Sequence, residues 1–304
     1  MYGLARTIEA AERIERAGAE AWRGELEDPE VLRDGMRGAD LVFHVAHCAA
    51  EWGRPAEFER VNVEGTTNVL WAMEQARVDR IVHLSTAWVL SHGRPLMDVD
   101  EHAEPPSKAY GWVHRSMLDA EREVLASTAQ GLEPIVVRPG LVWGPGDTVW
   151  LPRLRDSIGS GRFRWIGHGR HHVSTTHVAN LVRGLVLAGD RGRTRSVYFV
   201  TDGPPVEFRE LATRYLKTVG ITPRGGSITP RGAKFVAMTT EGIWNLMNLG
   251  RPPALPRTVV AVAGLECTVR DDLARAEIGY EPVIDLDRGM EELAAARKKR
   301  SPQG

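Results

Sequence analysis

The sequence predicts an α/β fold: a doubly wound parallel sheet followed by a smaller C-terminal region. Three observations carry this. Strand and helix patterns alternate through the first half. The run "DLVFHVA" is continuously apolar, as a strand buried on both faces of a parallel sheet is, and "DRIVHLS" reads as the next buried strand. The connections between the patterns are short.

The elements follow in order. "MYGLA" is a short apolar strand. Thr7 can cap the helix "IEAAERIERA", which Gly18 ends. "AEAWRG" is a strand. "DPEVLRDGMRG" is a helix with Asp28 at its N-cap and Pro29 at its first position. Long helical patterns cover residues 55–77 and about 108–129, with "DRIVHLS" between them and "EPIVVRPG" after. Beyond residue 145 the regularity loosens. "GPGDTVWLPRL" turns into a helix, and "GRFRWIGHGRHHVSTTHVANL" is mostly loop. "HVANLVRGLVLAGD" is a helix, "SVYFVTD" a strand and "EFRELATRYLKTVG" a helix. Residues 223–257 are rich in Pro, Gly and apolar side chains. "TVRDDLARAEIGYEP" and "DLDRGMEELAAARKKR" are helical. The expected division is a sheet domain over 1–145 and a mixed substrate-binding region over 146–304, some of whose elements return to the sheet.

Composition narrows the function. The formal net charge is -1, from 39 basic and 40 acidic residues, which leaves no electrostatic footprint for nucleic acid. Cys48 and Cys267 lie far apart and form no CxxC pair, so a reducing cytoplasmic setting is expected. No apolar run reaches the roughly 20 residues a membrane span needs. His168, His171, His172 and His177 cluster in sequence, but their spacing fits no tetrahedral site and no Cys or acid lies among them. No metal is expected.

Five stretches carry chemistry: "GADLVFHVAHCAAEWGRPAEFERVNVEGTTNVL", "RIVHLSTAWVL", "AYGWVH", "VVRPGLVWGPGD" and "DDLARAEIGYEP". In this order they resemble the extended short-chain dehydrogenases/reductases. The segment "GRPPALPRTVVAVAGLECTVRDDLARAEIGYEPVI" is most similar to the 3β-hydroxysteroid dehydrogenase/isomerase branch. The resemblance implies a Rossmann-type sheet and an NAD(P)-dependent oxidoreductase. Hydride passes between the nicotinamide and a secondary alcohol or ketone.

"HLST" ends a buried strand at its C-terminal edge, where open α/β sheets place ligands. By the resemblance, Thr86 is the catalytic hydroxyl and Ser85 its neighbour. Tyr110 opens the long helix and is the implied general acid/base. A free phenol ionises near pH 10, so a cation must act on it. The family supplies a Lys four residues later; here that position is His114, which can donate to a ribose hydroxyl but is mostly neutral at pH 7. Arg115 is the alternative source of charge. The family's Glu, four residues beyond its Lys, matches Glu121, seven after His114, as though one helical turn were inserted.

The cofactor-binding residues implied are Arg6, Glu25, Ala46, His47, Asn62, Tyr110, His114, Pro139 and Gly140. Arg6 follows the first strand, where an acid selects NAD and an Arg can pair with the 2′-phosphate of NADP. NADP is therefore favoured. Glu25 keeps a carboxylate near the adenine. Ala46 and His47 line the edge beside the adenosine and pyrophosphate. Asn62 braces the active-site helices, and Pro139 and Gly140 let the backbone pass close to the nicotinamide.

A glycine-rich turn between strand and helix is expected in such folds, because it lets the backbone approach the pyrophosphate. None is found, and in the family it lies about one βα unit ahead of Arg6. The expectation is a chain that lacks its first strand and this turn, with poor dinucleotide binding as a result. The expected partners are a small apolar substrate and a second copy of the chain in a homodimer. The substrate is held by residues 144–172 and 223–257. Trp143, Trp150, Trp165 and Trp244 in or near those segments favour a sterol- or terpenoid-like ligand, against the plainer reading of core packing. Two alternatives stand beside this. A sugar-nucleotide epimerase or dehydratase would use Arg153, Arg155, Arg162 and Arg170 on a diphosphate. A non-catalytic cofactor-sensing protein would explain the absent turn and Lys.

Overall fold

A computed structural model describes residues 1–50, 52–247, 253 and 255–300. The chain opens with β1 (Tyr2–Ala5), α1 (Ile8–Arg16), β2 (Glu20–Arg23), α2 (Pro29–Met36) and β3 (Leu41–His44). Both predicted caps form. The Thr7 hydroxyl accepts from the Ala10 N–H and the Asp28 carboxylate from the Val31 N–H, each at 3.2 Å. The long pattern over 55–77 becomes α3 (Pro55–Phe58), a π-helical turn (Glu59–Glu64) and α4 (Gly65–Ala76) in one continuous run. The π turn holds Asn62, and such turns recur at functional sites.

Next come β4 (Arg80–Leu84), β5 (Leu96–Val99), α5 (Trp112–Ala126), β6 (Glu133–Pro139), β7 (Leu141–Trp143) and α6 (Trp150–Gly159). Short strands follow: β8 (Trp165–Ile166), β9 (His172–Val173) and β10 (Thr175–His177). Then come α7 (Val178–Arg191), β11 (Val197–Val200), β12 (Val206–Glu207), α8 (Phe208–Thr218), β13 (Ser227–Ile228) and α9 (Pro230–Leu246). The last elements are α10 (Arg257–Gly264), β14 (Cys267–Val269), α11 (Asp272–Ile278) and α12 (Leu286–Arg300). Among the described residues no helix is long and apolar enough to cross a membrane.

The central sheet is parallel, in the order β11-β6-β4-β3. Its side chains alternate between two cores, as a strand buried on both faces requires. Ile81 and Val136 pack with Val69, Met73 and Val124, from α4 and α5. Val82, Ile135, Val137, Tyr198 and Val200 pack with Leu181 and Leu185 of α7 on the other side. The sheet is therefore doubly wound. β1 and β2 pair in parallel as a sheet of their own, with no ladder joining them to β3. Leu4 at 38% exposure and Phe43 at 39% mark the two strands that flank this break.

The C-terminal half contributes β11 to the central sheet and builds a mixed one, β12-β9-β14-β5. Several of its parts depart from the sequence reading. The stretch read mostly as loop holds β8, β9 and β10, and β5 goes unpredicted. Strands of two to four residues offer no alternation to read. Within 223–257 the described residues form β13, α9 and the first residue of α10, and residues 248–252 and 254 lie outside the described ones. The helix expected from about 108 begins at Trp112, because Gly111 has φ 94° and cannot continue a right-handed turn.

Candidate active site

The parallel strands end on one side of the sheet, and the predicted residues follow those ends. Ser85 and Thr86 leave β4. Ser85 is buried, and its hydroxyl donates to Glu121 Oε2 at 2.5 Å. Glu121 is also gripped by Arg138, whose Nε donates to Oε2 at 3.0 Å while Nη2 donates to Oε1. Both partners are nearly sealed from solvent, at 1% and 2% side-chain exposure. Ser85 is thus committed to holding a buried ion pair. Thr86 is half-buried and accepts only a long 3.4 Å bond from the Trp88 N–H. Its proton has no acceptor among the described residues, so it can be given to a ligand oxygen.

Glu121 fixes the register of α5. The helix runs from Trp112 to Ala126 as one regular element. Stepping back four and eight residues from Glu121 reaches Met117 and Val113, both buried and apolar. Tyr110 precedes the helix rather than opening it. Its N–H donates to the Ser91 carbonyl at 2.7 Å, which ties it to the segment that follows Thr86. Its hydroxyl is buried and has no partner among the described residues. Burial raises the phenol's pKa; the Arg257 charge lowers it and the Glu241 charge raises it.

His114 does not supply the expected cation. Burial pushes its pKa down to about 4, so it is neutral at pH 7. Its Nδ1 lies 3.0 Å from the Tyr110 carbonyl, which requires the proton on Nδ1, and its ring stacks with Trp88. Arg115 does not supply it either. Its guanidinium lies over the Trp112 ring at 5.4 Å and 3.9 Å from Asp119.

On the cofactor side, Arg6, Glu25 and Ala46 are exposed just past β1, β2 and β3. His47 is half-buried, with Nδ1 3.1 Å from the Val45 carbonyl. Asn62 is buried and braces two elements: its Oδ1 accepts from the Cys48 N–H at 2.6 Å and its Nδ2 donates to Ser116 Oγ at 2.8 Å. Pro139 and Gly140 are buried. Gly140 is needed for another reason than a cofactor: a Cβ there would lie 2.2 Å from the Ser174 carbonyl oxygen. These positions fit the adenosine end of a dinucleotide, which meets strand ends of this kind. A glycine cradle for its diphosphate is not found among the described residues. In the first strand-to-helix turn, the Thr7 side chain already caps α1.

A cavity of about 750 Å³ has Ala49 and Ala50, from the loop after β3, on its wall, and neither Thr86 nor Tyr110 is among its lining residues. Trp150, Phe163, Trp165 and Phe208 give it an aromatic lining, and Ile228 and Leu255 close it from the C-terminal region. Two of the four tryptophans expected at the ligand therefore line it. Trp143 instead donates to Asp202 at 2.7 Å within the fold, and Trp244 lies on α9 outside the lining. Arg153 and Arg162 reach the wall; burial and the Arg162 charge push Arg153 down to about 10. Arg155 pairs with Asp156 at 3.4 Å, and neither it nor Arg170 lines the cavity. Asp147 shapes this wall: its carboxylate accepts the N–H groups of Val149, Trp150 and Leu151 at the start of α6. In the histidine cluster, His171 stacks on Phe208 and His177 caps α7.

Two buried histidines set an acid limit on the fold. Burial pushes His83 down to about 3 and His114 down to about 4, from 6.5. A native pKa below the unfolded one means that the unfolded chain binds more protons between those values. This contribution is full above about pH 6.5 and is lost as pH falls toward 3. Each histidine then costs about 2 kcal/mol at pH 5 relative to neutrality. Urea unfolding at pH 7 and pH 5 should show a drop of about 4 kcal/mol from the pair. Equal stability at both values would contradict their neutral burial.

The doubly wound parallel sheet with hydroxyls at the end of β4 is that of an extended short-chain dehydrogenase/reductase. The chain belongs to the 3-beta hydroxysteroid dehydrogenase/isomerase family, whose model matches residues 4–229. It is 42% identical over 294 residues to the 4-hydroxy-2-methyl-3-oxo-4-farnesyl-3,4-dihydroquinoline-1-oxide ketoreductase of Stigmatella aurantiaca, covering 96% of this chain and 88% of that protein. It is 30% identical to the 2-alkyl-3-oxoalkanoate reductase of Stenotrophomonas maltophilia, covering 90% and 85%. Among solved structures, a dTDP-glucose 4,6-dehydratase from Streptomyces venezuelae with NAD bound superposes with a TM-score of 0.76 at 18% identity, covering 98% of this chain and 87% of that one. That likeness is one of fold.

Proposed function

We infer that the protein is a ketoreductase: it transfers hydride from a nicotinamide cofactor to the ketone of an apolar small molecule. The observation that carries this is the aromatic-lined cavity that reaches Ala49 and Ala50, in the loop after β3. Its lining suits an alkyl, prenyl or polycyclic body, and two relatives are named for oxo compounds of that kind. Bound, the cofactor supplies the hydride that adds to the carbonyl carbon. Arg6, Glu25, Ala46 and His47 would hold its adenosine end, and the exposed Arg6 guanidinium favours the 2′-phosphate of NADP.

The remaining work falls to this chain's own side chains. Thr86 donates a hydrogen bond to the substrate oxygen and orients the carbonyl. Tyr110 gives that oxygen its proton, so that ketone, hydride and proton become one secondary alcohol. A buried phenol without a partner is an unusual state, since an unmet hydroxyl costs about 1–3 kcal/mol, and a ligand relieves it. Ser85 and Asn62 hold the elements that carry these groups.

The test is a screen of the purified protein with NADPH and NADH against 2-alkyl-3-oxoalkanoates, sterol ketones and UDP-sugars. Cofactor oxidation with the apolar ketones, faster with NADPH, is expected. Turnover of UDP-sugars alone would favour an epimerase acting through Arg153 and Arg162.

A further inference from the structure

α9 turns its apolar side chains outward. Phe235 is 69% exposed, Met238 54% and Ile243 49%, and Met247, just past the helix end, is 62% exposed. With about 100° of turn per residue, these four share one half of the helix surface. The other half belongs to the fold: Ala233 and Ala237 are fully buried with Ile166 and Val260, and Glu241 is turned inward onto Arg257. A single exposed apolar residue is ordinary, whereas a row of this kind marks a contact surface. Charge indicates what covers it. Between Glu210 and Glu266 the chain carries seven cations and one acid, Glu241, although it has 39 basic and 40 acidic residues in all. Arg224 and Arg231 stand exposed around the start of α9. Lys234 donates to the Gly93 carbonyl, and this contact holds the exposed Arg94 beside the same helix.

We propose that α9 is a membrane-docking helix that lies on the surface of a bilayer containing anionic lipid. The apolar row enters the boundary between headgroups and acyl chains, and the cations around it meet lipid phosphates. A second copy of this face would bring like charges together, so charge disfavours self-association through it. The inner face of α9 gives the placement a use. Ile166, packed under the helix, is also on the wall of the cavity. Docking therefore brings that cavity within roughly 10–12 Å, one helix diameter, of the lipid. An apolar ligand dissolved in the bilayer then has a short path to it. The docking does not depend on the chemistry read at Thr86 and Tyr110.

The test is flotation of the purified chain with vesicles of phosphatidylcholine alone and of equimolar phosphatidylcholine and phosphatidylglycerol. The parent should bind the anionic vesicles at least about tenfold more tightly, and high salt should abolish the difference. Phe235→Asp with Met238→Asp should lower that binding at least about tenfold, with the circular dichroism unchanged. Arg224→Gln with Arg231→Gln should lower it about tenfold, toward the level with phosphatidylcholine. If the aspartates unfold the chain, the arginine pair decides alone. Val182→Asp with Val186→Asp places the same charges on α7, where those residues are 54% and 50% exposed, and should leave binding intact. An equal loss in that control, binding indifferent to the α9 changes, equal binding to both vesicles, or binding to neither would overturn the proposal. A parent dimer that only Phe235→Asp with Met238→Asp dissociates in sedimentation velocity, without vesicle binding, would overturn it in favour of a contact between two copies.

Discussion

Replacing Glu121 by alanine should lower the unfolding free energy by about 3–5 kcal/mol. The reason is the company it keeps. Arg138 is 2% exposed and donates to both Glu121 oxygens, and Ser85 donates to one of them. Removing the carboxylate leaves a guanidinium buried without a counter-charge and a hydroxyl without an acceptor. The ion pair itself is not the stabiliser, because two ions taken out of water repay their desolvation poorly. The double change Glu121→Leu with Arg138→Met should therefore recover most of the loss. Urea denaturation of the three proteins measures both effects. A single variant within about 1 kcal/mol of the parent would show that water reaches this pair.

Replacing Tyr110 by phenylalanine should cut turnover by about 10²–10⁴-fold, the range for removing a general acid. The fold should be untouched, since the phenol makes no hydrogen bond in the described residues. Removing an unmet buried hydroxyl should even stabilise the protein slightly. Thr86→Val keeps the shape of the side chain and removes the donor to the substrate oxygen. Its loss should appear in kcat as well as KM, because the bond strengthens as charge grows on that oxygen. Steady-state kinetics with an apolar ketone and thermal unfolding check both variants together. Turnover within about threefold of the parent for Tyr110→Phe would move the proton donor elsewhere.

What the sequence shows of this molecule is mostly local. Thr7 and Asp28 are legible as caps because cap and helix lie within three residues of each other. The sheet is legible because its strands are continuously apolar and its helices are long. The family motifs locate Ser85 and Thr86 just past β4, and Asn62 falls in the π turn between α3 and α4. Contacts between distant segments are what escape. Nothing near Gly111 in sequence announces Thr258, which meets it across the fold. His114 looks like a substitute for a lysine until burial makes it neutral. Glu121 is legible as a family position, but its partners Ser85 and Arg138 lie in distant segments. Gly140 meets a second demand from a distant segment: the Ser174 carbonyl lies where a Cβ would stand. Trp143 reads as a ligand contact, yet its indole N–H is spent on Asp202.

Hydride transfer to an apolar ketone is the step on which the proposed function turns. It is tested most directly with NADPH carrying deuterium at both C4 positions and a 2-alkyl-3-oxoalkanoate as substrate. The expected product is an alcohol with a single deuterium on the carbinol carbon, formed by the parent and much more slowly by Tyr110→Phe. Unlabelled alcohol, or no alcohol with any ketone of this class, would contradict it.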